Sequence, residues 1–220
     1  MPISARKKTP HSNHDPKKQL RLFVNKIPLT PGVYLMKNES GEILYVGKAK
    51  SLRKRVLSYF RGRGILPKTV ILMERVRDID YIQTPTEVDA LLLEAQLIRK
   101  YQPKYNQELK DDKSFPMLKI TKELFPRLSI TRQKIDRYAD YYGPYTDAKL
   151  LRQAVDLIHS LFPIRKCQLL PKTACLYYHI GQCLAPCIRP EIKSEYDQLI
   201  KEVKDFLGGG KKSFMEYLIE

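Results

Sequence analysis

Two short β-type runs on either side of a four-residue turn constrain this chain most. Gly32-Val-Tyr-Leu-Met-Lys37 and Glu42-Ile-Leu-Tyr-Val46 flank Asn38-Glu-Ser-Gly41. Aliphatic and aromatic residues bounded by Asn, Ser and Gly read as an antiparallel hairpin, and Gly41 can take the positive φ that such a turn needs. Gly47 is expected to end the second strand. A helix is then expected over residues 49–60, because Leu52, Val56, Tyr59 and Phe60 fall on one face at helical spacing.

The same periodicities extend the pattern. Helices are expected over residues 18–25 and 68–75, the second after a loop containing Gly62 and Gly64. Ile79-Asp-Tyr-Ile-Gln83 alternates as a third strand. Thr86 then caps a helix to about residue 101, which Pro103 closes. The order β-β-α-α-β-α near the front predicts an α+β fold with a short three-stranded sheet flanked by helices. Beyond it, residues 117–120 and 127–131 predict a strand pair. Asp147 caps a helix to about residue 161, and two helices are expected over 190–206 and 211–218.

Charge narrows the partner. The 220 residues carry a formal net charge of +16, and a chain this basic is suited to a polyanion, whose counterions its Lys and Arg residues release. Ten basic residues and one acid lie between positions 48 and 77, which favours a nucleic-acid groove over an evenly solvated surface. No apolar run approaches the roughly 18 residues of a membrane span, and residues 1–16 lack the apolar core of a signal peptide. A cytoplasmic protein without a membrane partner is expected.

Certain residues could carry chemistry. Tyr34 and Tyr45 sit on the two hairpin strands, Lys48 follows at the strand-to-helix junction, and Arg55 and Tyr59 are four apart on one helix face. Two phenols, an ammonium and a guanidinium would converge beside a helix N-terminus, a place that favours anions. Taken singly, each residue is ordinary packing or a solvated charge. Glu94 lies within Ala90-Leu-Leu-Leu-Glu-Ala-Gln-Leu-Ile98. If buried it demands a cation, either a divalent metal or an arginine; otherwise Glu87 and Glu94 form a narrow solvent stripe. All four cysteines, Cys167, Cys175, Cys183 and Cys187, lie in one stretch. The C-x7-C-x7-C-x3-C spacing is not that of a zinc ribbon, and four thiolates hold either an iron–sulfur cluster or zinc. His179 is a rival ligand inside the stretch.

The motifs, in order, resemble the GIY-YIG nuclease family in its UvrC form. They run Pro31-Gly-Val-Tyr34, Tyr45-Val-Gly-Lys-Ala-Lys50, Leu52-Arg-Lys-Arg55, Ser58-Tyr-Phe60, Glu94 and Tyr101-Gln-Pro-Lys-Tyr-Asn106. They continue through Asp111-Asp-Lys-Ser-Phe-Pro116, Phe125-Pro-Arg-Leu-Ser-Ile-Thr131, Tyr142-Gly-Pro-Tyr-Thr146 and the segment from Cys175 to Cys187. Residues 1–16, polar and basic, read as a loose arm outside the resemblance, which implies a GIY-YIG endonuclease domain over 17–107, a smaller linking β/α segment over 108–165, and a cysteine cluster with C-terminal helices over 166–220.

It also implies roles. Glu94 would hold one Mg²⁺ or Mn²⁺, Tyr34 and Tyr45 would handle the attacking water and its protons, and Lys48, Arg55 and Tyr59 would orient the scissile phosphate. Lys50, Arg53, Lys54 and Asn106 would bind DNA. The four cysteines would hold a [4Fe–4S] cluster, with zinc as the alternative. A tyrosine base would need its pKa tuned by nearby cations. The substrate implied is damaged double-stranded DNA, cut 3′ of a lesion in nucleotide excision repair, with UvrB as a partner. The family's UvrB-binding helical hairpin, second nuclease domain and DNA-binding tail have no counterpart in these 220 residues, a plan shared with the single-nuclease homologue Cho or with a truncated or split chain. Two other readings stand beside this one: a DNA-binding module that does not cut, and an RNA- or ribosome-associated basic protein, which accounts for the charge only.

Overall fold

The computed structural model describes residues 16–61, 67–108, 115–134 and 136–209. The chain forms two compact units, Met1–Lys113 and Ser114–Glu220. The 1–16 arm up to residue 15, the loop at Gly62 and Gly64, residues 111–114 and the helix expected over 211–218 lie outside the described residues. Helix α1 (Pro16–Val24) begins with proline at its first position, where a missing N–H costs nothing and a fixed φ helps.

In the first unit, strands β1 (Gly32–Lys37), β2 (Ile43–Ala49) and β3 (Asp78–Gln83) form an antiparallel sheet in the order β2-β1-β3. A register shift between Met36 and Lys37 skips one β2 residue. Leu44 and Tyr45 are adjacent in sequence, yet both pack on the same core, which is what a bulge does to a strand that otherwise alternates. Each face of the sheet is covered. Tyr34, Met36, Leu44 and Ala49 pack with Leu20 and Val24 of α1, Leu52 and Val56 of α2 (Leu52–Ser58) and Leu72 of α3 (Pro67–Arg75). Val33, Leu35 and Val46 pack on the other face against Ala90 and Leu93 of α4 (Glu87–Tyr101).

Two local details depart from the sequence reading. Strand β2 does not stop at Gly47 but pairs through to Ala49, and the helix starts at Leu52. A short helix α5 (Lys104–Glu108) follows Pro103. The α4 cap is as expected: Thr86 accepts the Asp89 N–H, and Asp89 accepts the Thr86 N–H in return, a reciprocal capping box.

In the second unit, β4 (Met117–Ile120), β5 (Leu128–Thr131) and β6 (Asp140–Tyr142) form an antiparallel sheet in the order β5-β4-β6. The third strand was not anticipated, because three residues are too few to show a period of two. Asp147 caps α6 (Ala148–Leu161) by accepting the Lys149 and Leu150 N–H groups, each at 3.0 Å. The helix expected over 190–206 is a 3₁₀ turn, Pro190–Ile192, followed by α8 (Lys193–Gly208). Between α6 and that turn lies α7 (Leu176–His179).

A buried arginine ties this unit together. Arg165 is 1% exposed. Its guanidinium donates to the carbonyls of Phe125 (2.6 Å), Cys167 (2.8 Å) and Gln168 (3.1 Å) and to the Glu123 carboxylate. Its backbone N–H donates to the Tyr196 hydroxyl (3.0 Å), which in turn donates to the Pro126 carbonyl (2.7 Å). A buried charge is tolerated when its donors are satisfied in this way. No described helix is long and apolar enough to cross a membrane.

Candidate active site and cysteine loop

The first unit's sheet ends in an edge strand, and that edge builds the site. In an antiparallel edge strand, alternate N–H groups point away from the sheet and need partners. Val46 and Lys48 supply two such groups. Asn106 of α5 donates to the Val46 carbonyl and accepts the Val46 N–H, each at 2.8 Å, as a neighbouring strand would. Glu94 accepts the Lys48 N–H at 2.9 Å. Helices α4 and α5 thus close the edge, and the closure places a carboxylate there.

Glu94 is 8% exposed, which excludes the solvent-stripe reading. Burial raises its pKa to about 7, against the opposing pull of the Lys48 N–H, the Lys48 ammonium and Arg55. Desolvation therefore outweighs both nearby cations.

The phenols lie on the neighbouring face. Tyr34 stands opposite Gly47 in the β1–β2 register and is fully buried. Its hydroxyl is 2.7 Å from that of Tyr59. The Tyr34 ring centroid is 6.1 Å from that of Tyr45 and 5.9 Å from that of Tyr59. Arg55 stacks its guanidinium 5.3 Å from the Tyr59 ring centre. The groups feel one another: burial first, then Tyr59 and Glu94, raise the Tyr45 pKa, which Arg55 partly offsets. Tyr34 is likewise raised by burial and by the other two phenols. A cation-tuned phenolate is therefore not the resting state: desolvation outweighs Arg55, and both strand tyrosines are held neutral.

The remaining sequence candidates divide. Arg53 turns inward, with Nε donating to the Ile27 carbonyl at 2.5 Å. Lys50 is exposed and sits 3.1 Å from Glu87. Lys54 is exposed. The Asn106 amide engages the Val46 peptide, as above. The first N–H groups of α2 do not face an anion. Leu52 N–H donates to the Thr30 carbonyl (3.0 Å) and Arg53 N–H to that of Pro28 (3.1 Å), so the helix-terminus expectation is corrected. Sequence reading missed Gly47. A Cβ built there meets the Tyr34 hydroxyl oxygen at 2.4 Å and a Tyr45 ring carbon at 2.8 Å. A glycine inside a strand, where backbone and another group approach closely, was the available signal.

Residues 30–107 match the model of the UvrC-like GIY-YIG domain, and residues 115–206 match that of the UvrC/Cho excinuclease middle domain. The magnesium-bound GIY-YIG N-terminal endonuclease domain of UvrC from Thermotoga maritima is 38% identical over 40% of this chain and 97% of that one, with a TM-score of 0.38. The chain belongs to the UvrC-like GIY-YIG family. Two point mutants of the same Thermotoga maritima domain, each bound to its catalytic divalent cation, are similar to it at 38% and 37% identity. They cover 40% of this chain and 94% and 96% of theirs, with TM-scores of 0.37 and 0.38. The expected α+β fold with its small three-stranded sheet stands with this assignment.

In the second unit, the four thiols share a neighbourhood. Burial raises the Cys183 pKa, with added pushes from Cys175, Cys167 and Cys187. Its sulfur accepts the Ala185 N–H at 3.4 Å, where a φ of 52° at Ala185 turns the chain back. Cys187 lies 3.9 Å from the Thr173 carbonyl. Among the described residues, no three Cys, His, Asp or Glu side chains close into a metal-binding set.

Proposed function

We propose that this chain is a divalent-cation-dependent DNA endonuclease that hydrolyses a phosphodiester 3′ of a lesion in double-stranded DNA. The observation that carries the reading is the buried Glu94 carboxylate, seated on the Lys48 N–H beside three phenols and Arg55. One carboxylate suits Mg²⁺ or Mn²⁺, which keeps water and substrate oxygens in its other positions. When bound, the ion would polarise the phosphate and lower the pKa of a bound water.

The residues of the chain do the rest. The Lys48 N–H fixes one Glu94 oxygen and leaves the other for the ion. Arg55, with its guanidinium over the Tyr59 ring, carries a fixed positive charge that neutralises charge growing on the phosphoryl oxygens. Tyr34 and Tyr59, joined hydroxyl to hydroxyl, can relay the proton lost by the attacking water outwards to solvent through the partly exposed Tyr59. Tyr45 orients that water. Asn106 acts by holding β2 where Lys48 and Glu94 meet, and Arg53 by holding α2 against the segment after α1. Lys50 and Lys54 contact the DNA backbone. A module that only gripped DNA would not require a buried, cation-seeking carboxylate.

A supercoiled plasmid and a lesion-bearing duplex test this directly. Nicking is expected with Mg²⁺ or Mn²⁺ and not with a chelator, and Arg55→Ala is expected to lose about 10²- to 10³-fold in rate with DNA affinity little changed. Wild-type protein that never nicks would sink the reading. The same assay with and without UvrB determines whether that partner loads the chain.

We infer that the four cysteines hold a [4Fe–4S] cluster, or zinc as the alternative, in a structural role. Support comes from the mutual influence of the thiols and the N–H directed at the Cys183 sulfur. Seating either group requires the partly buried Cys167, Cys175 and Cys187 to close on Cys183. Protein purified anaerobically is expected to contain about four irons per chain with a charge-transfer absorption. One zinc and no iron would select the alternative, and neither metal would overturn both.

A further inference from the structure

The cysteine loop presents a surface that the nuclease reading does not use. From Leu157 to Pro190 the chain contains no Asp or Glu. Within that stretch, the middle of the loop exposes large apolar side chains: Leu169 is 83% exposed, Leu176 69%, Ile180 51% and Tyr177 40%. Soluble proteins seldom leave such a group uncovered unless something docks there.

Cations are interleaved with these residues along the chain, and one of them covers the tyrosine. Lys166 places its ammonium 4.2 Å from the Tyr177 ring centre and 3.1 Å from the Gln182 side-chain oxygen. The Gln182 N–H donates to the Tyr177 carbonyl at 2.8 Å, which pins that corner. At the other end, Thr173, next to the exposed Lys172, lies against Cys187, and Ile188 and Arg189 follow. Arg189 has a solvated partner in Glu191 at 3.4 Å. The buried Arg165 contributes no surface charge, because its guanidinium is engaged within the unit.

A loop with no acidic residue of its own, carrying cations among exposed leucines and a tyrosine, matches one chemistry above others. Ammonium groups meet phosphates, a tyrosine ring stacks on an unpaired base, and an aliphatic wedge enters a loosened base step. We propose that this loop is a second DNA-contact surface, engaging the backbone through Lys166 and Lys172 and unpaired or distorted bases through Tyr177, Leu176 and Leu169. The proposal deepens the endonuclease reading, since it rests on DNA being the partner, and it gives the second unit a share in choosing distorted duplex.

The test uses the full chain, fluorescence anisotropy and no divalent ion, so binding is scored without cutting. The probes are a fully paired duplex and the same duplex with a short unpaired bubble. Wild type is expected to prefer the bubble. Leu176→Asp with Tyr177→Ala is expected to lose about tenfold in bubble affinity and most of the preference. Lys172→Glu is expected to weaken both probes and to flatten the salt dependence by about one to two charges. Acetylation footprinting of Lys172 in unaltered protein covers the case of a misfolded variant, with bound bubble DNA expected to protect it. Unchanged affinity and salt dependence in folded variants, or a Lys172 equally reactive with and without DNA, overturns the proposal and leaves the surface to a protein partner. Failure of the nuclease reading would appear separately, as absence of cation-dependent nicking by wild type.

Discussion

Glu94→Gln is expected to reduce nicking by about 10³-fold or more while making the ion-free protein more stable at neutral and alkaline pH. Both effects have one cause. The carboxylate is desolvated, and its pKa is raised to about 7 from the ordinary 4.5. Folding therefore favours the protonated form. The sign follows from linkage. Below about pH 4.5 the group is neutral in both states, and glutamine changes nothing. As pH rises towards 7 the unfolded chain ionises first, and stability is lost progressively. Above 7 the full cost of a buried charge remains, about 3 kcal/mol at about 1.4 kcal/mol per pH unit. Glutamine avoids that cost and can still accept the Lys48 N–H.

Thermal unfolding with a chelator, compared at pH 4.5 and pH 8, reads the effect. The variant should match wild type at the acid end and exceed it at the alkaline end. Adding Mg²⁺ at pH 8 should stabilise wild type and not the variant, because only an ion that binds the folded state shifts the equilibrium. At sub-saturating Mg²⁺, nicking by wild type should fall as pH drops through about 7, and excess Mg²⁺ should move the fall to lower pH, because protons compete with the ion for the same oxygen. A glutamine variant that nicks normally would remove Glu94 from the ion's coordination, whatever its stability.

Gly47→Ala is expected to cost about 10²-fold in nicking and about 2 kcal/mol of stability, although it alters none of the chemical groups at the site. The added methyl would stand 2.4 Å from the Tyr34 hydroxyl oxygen, 2.5 Å from its ring carbon and 2.8 Å from a Tyr45 ring carbon. Tyr34 is fully enclosed, so its ring cannot swing clear without moving the sheet or the Tyr59 hydroxyl. Gly41→Ala is the control. Its φ of +84° makes alanine strained there, but nothing lies within 4 Å of the new carbon. A modest loss of stability with normal nicking is expected for Gly41→Ala. Equal nicking by both alanine variants would show that the phenol positions are not critical.

Several features were legible along the chain because they are local. The hairpin, the Thr86 and Asp147 caps and the helical run around Glu94 depend on neighbours one to four residues apart, and propensity and periodicity report those. The bulge that turns Leu44 and Tyr45 to one side was not legible, since it depends on register against Met36 and Lys37. Strand β6 was hidden by its brevity. The inward turn of Arg53 was also hidden: an arginine on a helix gives no sign that the Ile27 carbonyl, 26 positions earlier, awaits it.

The sequence by itself determined which groups could take part: the tyrosines, the arginine, the glutamate, the glycine and the four thiols in their order. Only the tertiary structure decided their condition. Burial raised the pKa of Glu94 and kept Tyr34 and Tyr45 neutral. Closure of the β2 edge turned Asn106 towards the Val46 peptide, and the Pro28 and Thr30 carbonyls, from the loop before β1, occupied the start of α2. The physical reason is that side-chain identity is written residue by residue, whereas desolvation and the satisfaction of edge-strand N–H groups are set by segments 46 and 60 positions away.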